Sequence, residues 1–147
     1  MSDDSILATY VTEIAGPEVA APPPKFFQRL NRLSQLLGQY PIPEAGDACV
    51  LVMQPDYEPT WTSLWTTLAI RIGRSKSCDL RISHEGISGK HCQLFFDGED
   101  WVVDDLGSTN GTRVNSHPIS RPYFLCQGDC IELGPAMLIF ANPKQPL

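Results

Sequence analysis

From Cys49 onward the chain is a succession of short apolar runs separated by glycine, proline, asparagine and aspartate, with no helical periodicity between them. Closely spaced short strands with turn residues between them are typical of an all-β sandwich, in which two antiparallel sheets pack face to face. The sequence therefore predicts this fold class for the C-terminal two thirds of the chain. The expected strands lie at 49–54, 64–72, 79–83, 92–96, 101–105, 112–115, 129–133 and 137–141.

Alternation within these runs indicates which side chains face the core. Ile131 and Leu133 flank Glu132, and period-two patterning places the two apolar residues inside and the glutamate outside. The other runs supply the remaining core candidates. The full set is Leu94, Phe96, Trp101, Val103, Ile131, Leu133 and Leu138.

The first 48 residues have a different organisation. Residues 1–24 are interpreted as an arm that ends in a stiff proline-rich spacer, residues 25–38 as one amphipathic α-helix and residues 39–48 as a linker, while 143–147 form a tail. Apolar residues recur in the helix at intervals of four, three and four, which gives a single stripe. Either this stripe packs on the chain's own sandwich or it docks into a partner's groove. The stripe consists of Phe26, Leu30, Leu33 and Leu37, with Gly38 at the helix end.

Charge and cysteine content narrow the class of protein. The formal net charge of −6 argues against nucleic acid as a partner, because binding a phosphate backbone requires many cations. Five cysteines without a secretion signal indicate reduced thiols, and their spacing does not suit structural zinc, so we expect neither a metal nor another cofactor. No apolar run approaches the ~20 residues of a membrane span, and we expect a cytoplasmic protein.

Three runs, at 70–82, 87–92 and 104–115, place polar or loop-forming groups just outside strands. Arg74 ends one strand, Ser88 precedes a glycine, and residues 110–111 are Asn-Gly, the strongest signal for a tight hairpin turn. An arginine fork grips two phosphate oxygens together, and a serine hydroxyl is a further donor. An acidic chain with a local basic patch suits one focused phosphate group. The basic residues of the three runs are Arg71, Arg74, Lys76, Arg81, Lys90 and Arg113.

The order Gly-Arg, Ser-x-x-His and Leu-Gly-Ser-Thr-Asn-Gly-Thr, followed by Gly-Asp-x-Ile-x-Leu-Gly at 128–134, resembles the forkhead-associated (FHA) domain family. The resemblance covers residues 49–142 and implies an FHA-like sandwich that binds phosphothreonine peptides. Family members often carry a polar or basic residue after the serine, whereas this chain has Gly89, so a contact from that position comes from backbone. The implied phosphopeptide-binding residues are Arg74, Ser88, Gly89, Thr109 and Asn110, with Lys76, Lys90 and Arg113 at the rim and Gly73, His91 and Gly111 in structural roles.

Two functions remain for such a chain. The first is an adaptor that binds phosphothreonine-containing proteins in protein kinase signalling. The second is a phosphate-independent scaffold that uses the FHA face or the helix. An enzyme is not expected, because Ser88 and His91 are near each other only in sequence and no obvious oxyanion site accompanies them. The chain's own arm is a further candidate ligand, since phosphorylation of Thr9 or Thr12 would create a tethered phosphothreonine.

Overall fold

Eleven short strands and their connections make up most of the chain that the computed structural model describes, which is residue 35 and residues 38–144. The predicted all-β class is confirmed. The strands are β1 (Ala48–Met53), β2 (Thr60–Leu64), β3 (Ile70–Gly73), β4 (Leu80–Arg81), β5 (Cys92–Phe96), β6 (Trp101–Asp105), β7 (Arg113–Val114), β8 (His117–Pro118), β9 (Tyr123–Phe124), β10 (Cys130–Leu133) and β11 (Ala136–Ala141).

The strands form two sheets that pack on a shared core. Sheet A has six strands in the order β2-β1-β11-β10-β7-β8, and sheet B has five in the order β4-β3-β5-β6-β9. The pairings are antiparallel except between β3 and β4, which pair in parallel over a short stretch. The sandwich is therefore the predicted one, with a single parallel pair at the edge of sheet B.

The predicted core residues lie between the two sheets. Six of the seven are buried, and Phe96 is half-buried against the same cluster. Trp101 anchors the packing, because its ring contacts those of Phe96 and Phe140 at centroid distances of 5.6 and 6.4 Å. Glu132 lies on the other side of its strand, as predicted, and its carboxylate accepts a hydrogen bond from the backbone N–H of Ser116 at 2.7 Å.

The predicted strand at 64–72 is wrong. The chain leaves sheet A after Leu64, turns with the N–H of Leu68 donating to the carbonyl of Trp65 at 3.1 Å, and enters sheet B at β3. Trp65 and Leu68 are exposed, so the apolar residues that suggested one long strand belong to the connection between the sheets. The predicted strands at 92–96 and 101–105 coincide with β5 and β6, whereas β2 shares only Leu64 with a predicted strand and β8 and β9 have no predicted counterpart.

The tight hairpin expected at Asn110-Gly111 is also wrong. The strands on either side of it, β6 and β7, belong to different sheets, so the dipeptide lies in a loop that crosses from sheet B to sheet A. A two-residue hairpin instead joins β7 to β8 at Asn115 and Ser116, whose φ angles are 51° and 71°. Positive φ at both central residues is the geometry that matches the twist of paired strands.

Most of the predicted helix at 25–38 lies outside the described residues, as do the arm at 1–24 and the last three residues of the tail. Gln35 and Gly38 are described, and both are helical, as is the following residue Gln39. No helix in the described part of the chain is long and apolar enough to cross a membrane.

Candidate functional site

Three loops meet at one end of sheet B. Ile72, Cys92 and Asp105 stand side by side across β3, β5 and β6, so the connections that follow or precede them begin at the same level of the sheet. These are the first loop at 74–79, the second loop at 82–91 and the third loop at 106–112. The topology therefore brings together the three polar runs of the sequence.

Backbone hydrogen bonds join the first loop to the second. The N–H of Arg74 donates to the carbonyl of Ser88, and the N–H of Ser75 donates to that of Gly89, both at 3.0 Å. Gly73 allows this approach, because a Cβ on it would lie 2.3 Å from the carbonyl oxygen of Gly89. The side chain of Arg74 is exposed, so its main chain is fixed while its guanidinium faces solvent.

The hydroxyl of Ser88 is oriented by the third loop. Its Oγ accepts a hydrogen bond from the backbone N–H of Thr109 at 2.9 Å. A serine oxygen that accepts one bond still has its own O–H to donate. The geometry therefore leaves Ser88 with a directed donor at the point where the second and third loops meet.

The His91 side chain links the second loop to the third loop. The residue is fully buried, its Nδ1 accepts from the N–H of Ser88 at 3.1 Å, and its Nε2 donates to the carbonyl of Gly111 at 2.8 Å. These partners require the neutral tautomer with the proton on Nε2. Because the ring bonds the main chain of Ser88 and not its hydroxyl, His91 is not arranged as a base for that oxygen.

Asp105 organises the third loop and was not among the predicted site residues. One carboxylate oxygen accepts from the hydroxyls of Ser108 and Thr112, and the other accepts from the N–H groups of Gly107 and Ser108 at 3.1 and 3.0 Å. Partial burial opposes ionisation of Asp105, but the hydrogen bonds from Ser108 and Thr112 outweigh it and lower the pKa. The sequence signal for this local turn is an aspartate with glycine and serine two and three residues later.

Asn110 lies at the exposed tip of the third loop. Its Nδ2 donates to the carbonyl of Gly86 in the second loop at 3.0 Å, which fixes the plane of the amide. Gly111, at φ 82°, follows in a conformation that a residue with a side chain rarely adopts. Asn110 therefore joins the third loop to the second loop.

Positive charge surrounds these groups. The side chain of Arg81, which was not singled out as a site residue, donates from Nε to the main-chain carbonyl of Arg74 at 2.9 Å and so places a guanidinium beside the first loop. Lys76 and Lys90 are exposed on the first and second loops. Within residues 38–144, none of these four cations forms an ion pair with an acidic side chain.

An open groove of about 320 Å³ leads away from Asn110. Its far wall carries Arg113 on β7 and Glu132 on β10, which are cross-strand neighbours. Arg113 therefore lines the groove from sheet A, whereas Arg74 follows β3 of sheet B. The groove is lined by His84, Gly86, Asn110, Gly111, Arg113 and Glu132, among others.

Comparison with known proteins gives the family. A model described as the FHA domain matches residues 70–134. An FHA structure solved in a structural and functional analysis of phosphothreonine-dependent FHA domain interactions is 31% identical, with a TM-score of 0.57, and the match covers 67% of this chain and 99% of that one. The chain belongs to the FHA domain family. The three loops are thus the loops of an FHA sandwich, and the match includes Arg74, Ser88 and Asn110.

Longer proteins contain related FHA domains. An FHA domain-containing protein of Arabidopsis thaliana is 37% identical over 103 residues, which is 68% of this chain and 23% of that protein. FhaA of Mycobacterium tuberculosis is 38% identical over 68 residues, which is 46% of this chain and 13% of that protein. The FHA chain therefore spans less than a quarter of the length of these curated relatives.

Proposed function

We propose that the three loops bind a phosphothreonine residue of a partner protein, and that the chain acts as an adaptor in protein kinase signalling. The observation that carries the proposal is that the main chain of Arg74 and the hydroxyl of Ser88 are held in place where the three loops meet. Arg74 and Ser88 are joined through their main chains, and the Ser88 hydroxyl is held by Thr109. A phosphothreonine carries about −1.5 to −2 charges, which these donors and the nearby cations would satisfy.

Each residue has a distinct role in this proposal. The guanidinium of Arg74 grips two phosphate oxygens, and the Ser88 hydroxyl and the Gly89 N–H donate to the others. Thr109 lines the phosphate site, while the amide oxygen of Asn110 accepts from a main-chain N–H of the ligand. Lys76, Lys90 and Arg113 add charge at the rim, and Gly73, His91 and Gly111 hold the loops in place.

Binding without catalysis is the activity that this geometry favours. His91, the candidate base for Ser88, has both ring nitrogens engaged with main-chain groups. The 31% identical FHA structure comes from work on phosphothreonine-dependent interactions, which supports the same ligand class here. The five cysteines are thiols and not disulfides, which suits a reducing compartment such as the cytoplasm.

Binding of unphosphorylated partners is the second candidate function. The groove beside Asn110 favours it, because an extended peptide would contact Arg113 and Glu132 without any phosphate. The two functions differ in one measurable property, which is whether affinity depends on the phosphate group.

The experiment begins with selection of a ligand from a phosphothreonine peptide library, followed by calorimetry on the selected peptide. Arg74→Ala is expected to weaken binding at least ~10-fold, since one charge-assisted hydrogen bond contributes ~1.5–3 kcal/mol. Arg71→Ala is the matched control, because Arg71 lies on β3 shortly before Arg74 and is exposed, with its side chain on the outer face of sheet B. If the unphosphorylated peptide binds with the same affinity as the phosphorylated peptide, the phosphate-independent scaffold function is favoured.

The chain's own arm is one specific candidate for the ligand. A phosphate on Thr9 or Thr12 would be tethered to the site, and tethering raises the effective concentration toward about millimolar. A phosphorylated arm peptide is expected to bind the full-length chain and to compete with the selected library peptide. Absence of competition at millimolar arm peptide would leave the site to a separate protein.

A further inference from the structure

The outer face of sheet A carries an apolar cluster that the FHA site does not use. Strand alternation places its members on the side opposite the core, where one face of an antiparallel sheet ordinarily meets water and is polar. Each member is nevertheless at most 4% exposed. The cluster consists of Cys49, Leu51, Cys130, Ile139 and Ala141.

The cluster forms continuous rows across the sheet. Trp61, Leu51, Ile139 and Cys130 are successive cross-strand partners on β2, β1, β11 and β10. Four strands at a spacing of about 4.8 Å make this row about 14 Å wide. An element that covers the row must therefore present an apolar surface of similar length.

The chain that precedes β1 begins to cover this face. The indole N–H of Trp61 donates to the carbonyl of Tyr40 at 2.8 Å, and the side chains of Tyr40 and Ile42 pack against the cluster. Ser63, on the same face of β2, donates to the carbonyl of Ala45 at 3.3 Å. The segment before Tyr40 therefore starts beside the cluster.

The sequence of that segment has the length and polarity that the row requires. Gln35, Gly38 and Gln39 are helical and exposed, which agrees with the polar side of the helix that the apolar stripe predicts. The stripe runs from Phe26 to Leu37, and eleven steps of 1.5 Å make it about 16 Å long. This length is close to the width of the row.

We propose that residues 25–37 dock their apolar stripe on the outer face of sheet A in the same chain. The helix is then a third layer of the folded unit. This docking is independent of the phosphopeptide site. It also makes the face unavailable to a second copy or to another protein, so the helix is not a docking element for partners.

The cysteines of the chain provide a direct test. Cys49 and Cys130 lie in the cluster, Cys92 lies in the inner core, and Cys126 is exposed. Burial raises the pKa of the Cys49 thiol to about 12, so its reaction with iodoacetamide requires the face to open. Site-resolved mass spectrometry on the full chain compares wild type with a Leu30→Asp, Leu33→Asp double variant.

The double variant is expected to alkylate Cys49 and Cys130 at least about tenfold faster than wild type, because the cover of the face is lost. The matched control is Gln28→Asp with Gln35→Asp, which places the same two charges on the polar side and is expected to keep the wild-type rates. Cys92 stays protected and Cys126 stays reactive in every folded variant. If Cys92 also becomes reactive in the double variant, the single variant Leu30→Ala of the full chain is tested in its place. Faster alkylation of Cys49 and Cys130, with Cys92 still protected, is again expected.

Three results would overturn the proposal. The first is an unchanged alkylation rate of Cys49 and Cys130 in the leucine variant. The second is fast alkylation of both thiols in wild type, which would mean that the face is uncovered. The third is protection that decreases on dilution together with a dimeric mass by light scattering, because a second copy would then be the cover.

Discussion

Asp105 shows how one carboxylate prepares a loop for binding. Four donors converge on it from Gly107, Ser108 and Thr112, so the turn before Thr109 is closed from within. Thr109 can then present its N–H to Ser88. The loop is held by buried and half-buried polar groups, which leaves the exposed donors available for a ligand.

Replacing Asp105 by Asn should lower the free energy of unfolding at pH 7 by about 1–3 kcal/mol, because backbone donors lose an anionic acceptor. The pKa of Asp105 is lowered in the fold, so its contribution is present above the unfolded pKa of ~3.9 and is lost as pH falls through the folded pKa. Urea denaturation should therefore show that the difference in the free energy of unfolding between wild type and the variant decreases below about pH 4. Asp104→Asn, on the same strand, is the control. If the difference in the free energy of unfolding between wild type and Asp105→Asn stays constant with pH, the proposed role of the Asp105 carboxylate is contradicted.

Asn110→Ala should impair phosphopeptide binding more than stability. Asn110 is exposed and contributes one described hydrogen bond to the fold, so we expect a loss of stability of about 1 kcal/mol or less. Its amide oxygen is the proposed acceptor for the ligand's main chain, so affinity should fall by about tenfold or more. Peptide titration beside thermal denaturation separates the two effects. A large fall in melting temperature with normal affinity would make Asn110 a structural residue only.

At the scale of elements, the site depends on how closely the first two loops approach. Gly73→Ala should disrupt this approach, because the new Cβ would overlap the Gly89 carbonyl, and we expect a loss of about 1–3 kcal/mol in stability together with weaker binding. Gly89→Ala is the matched control, since its Cβ would meet only the Ser75 side chain at an ordinary 3.9 Å. Equal melting temperatures for the two variants would show that the approach is not required.

The elements also show which features could be read from the sequence. The strands β5 and β6 were predicted to the residue because an apolar run bounded by polar turns fixes both ends. The loop around Asn110 was assigned to a hairpin because a dipeptide reports local turn preference and not the sheet to which the next strand belongs. Arg81 and Asp105 were missed as site residues because each acts through hydrogen bonds to a loop. Such contacts cannot be recognised from the spacing of residues in the sequence.

At the scale of the whole molecule, an acidic chain presents a small basic site. The net charge is −6, yet Arg74, Lys76, Arg81 and Lys90 surround the three loops without acidic partners in the described part of the chain. The net charge of the chain repels a phosphopeptide at long range, and the local cations attract it at short range. If the proposed site binds phosphothreonine, this contrast would favour a single phosphate over an extended polyanion.

The affinity of a phosphothreonine peptide should therefore depend on salt in a residue-specific way. Exposed charges are screened over a Debye length of about 10 Å at 0.1 M and about 3 Å at 1 M, so affinity should fall as salt rises. Lys76→Ala and Lys90→Ala should each weaken binding a few-fold at low salt, and the difference from wild type should disappear at high salt. Lys144→Ala is the control, because Lys144 already pairs with Asp47 at 2.8 Å. Calorimetry across a salt series tests the prediction, and equal salt slopes for wild type and both loop variants would remove Lys76 and Lys90 from the site.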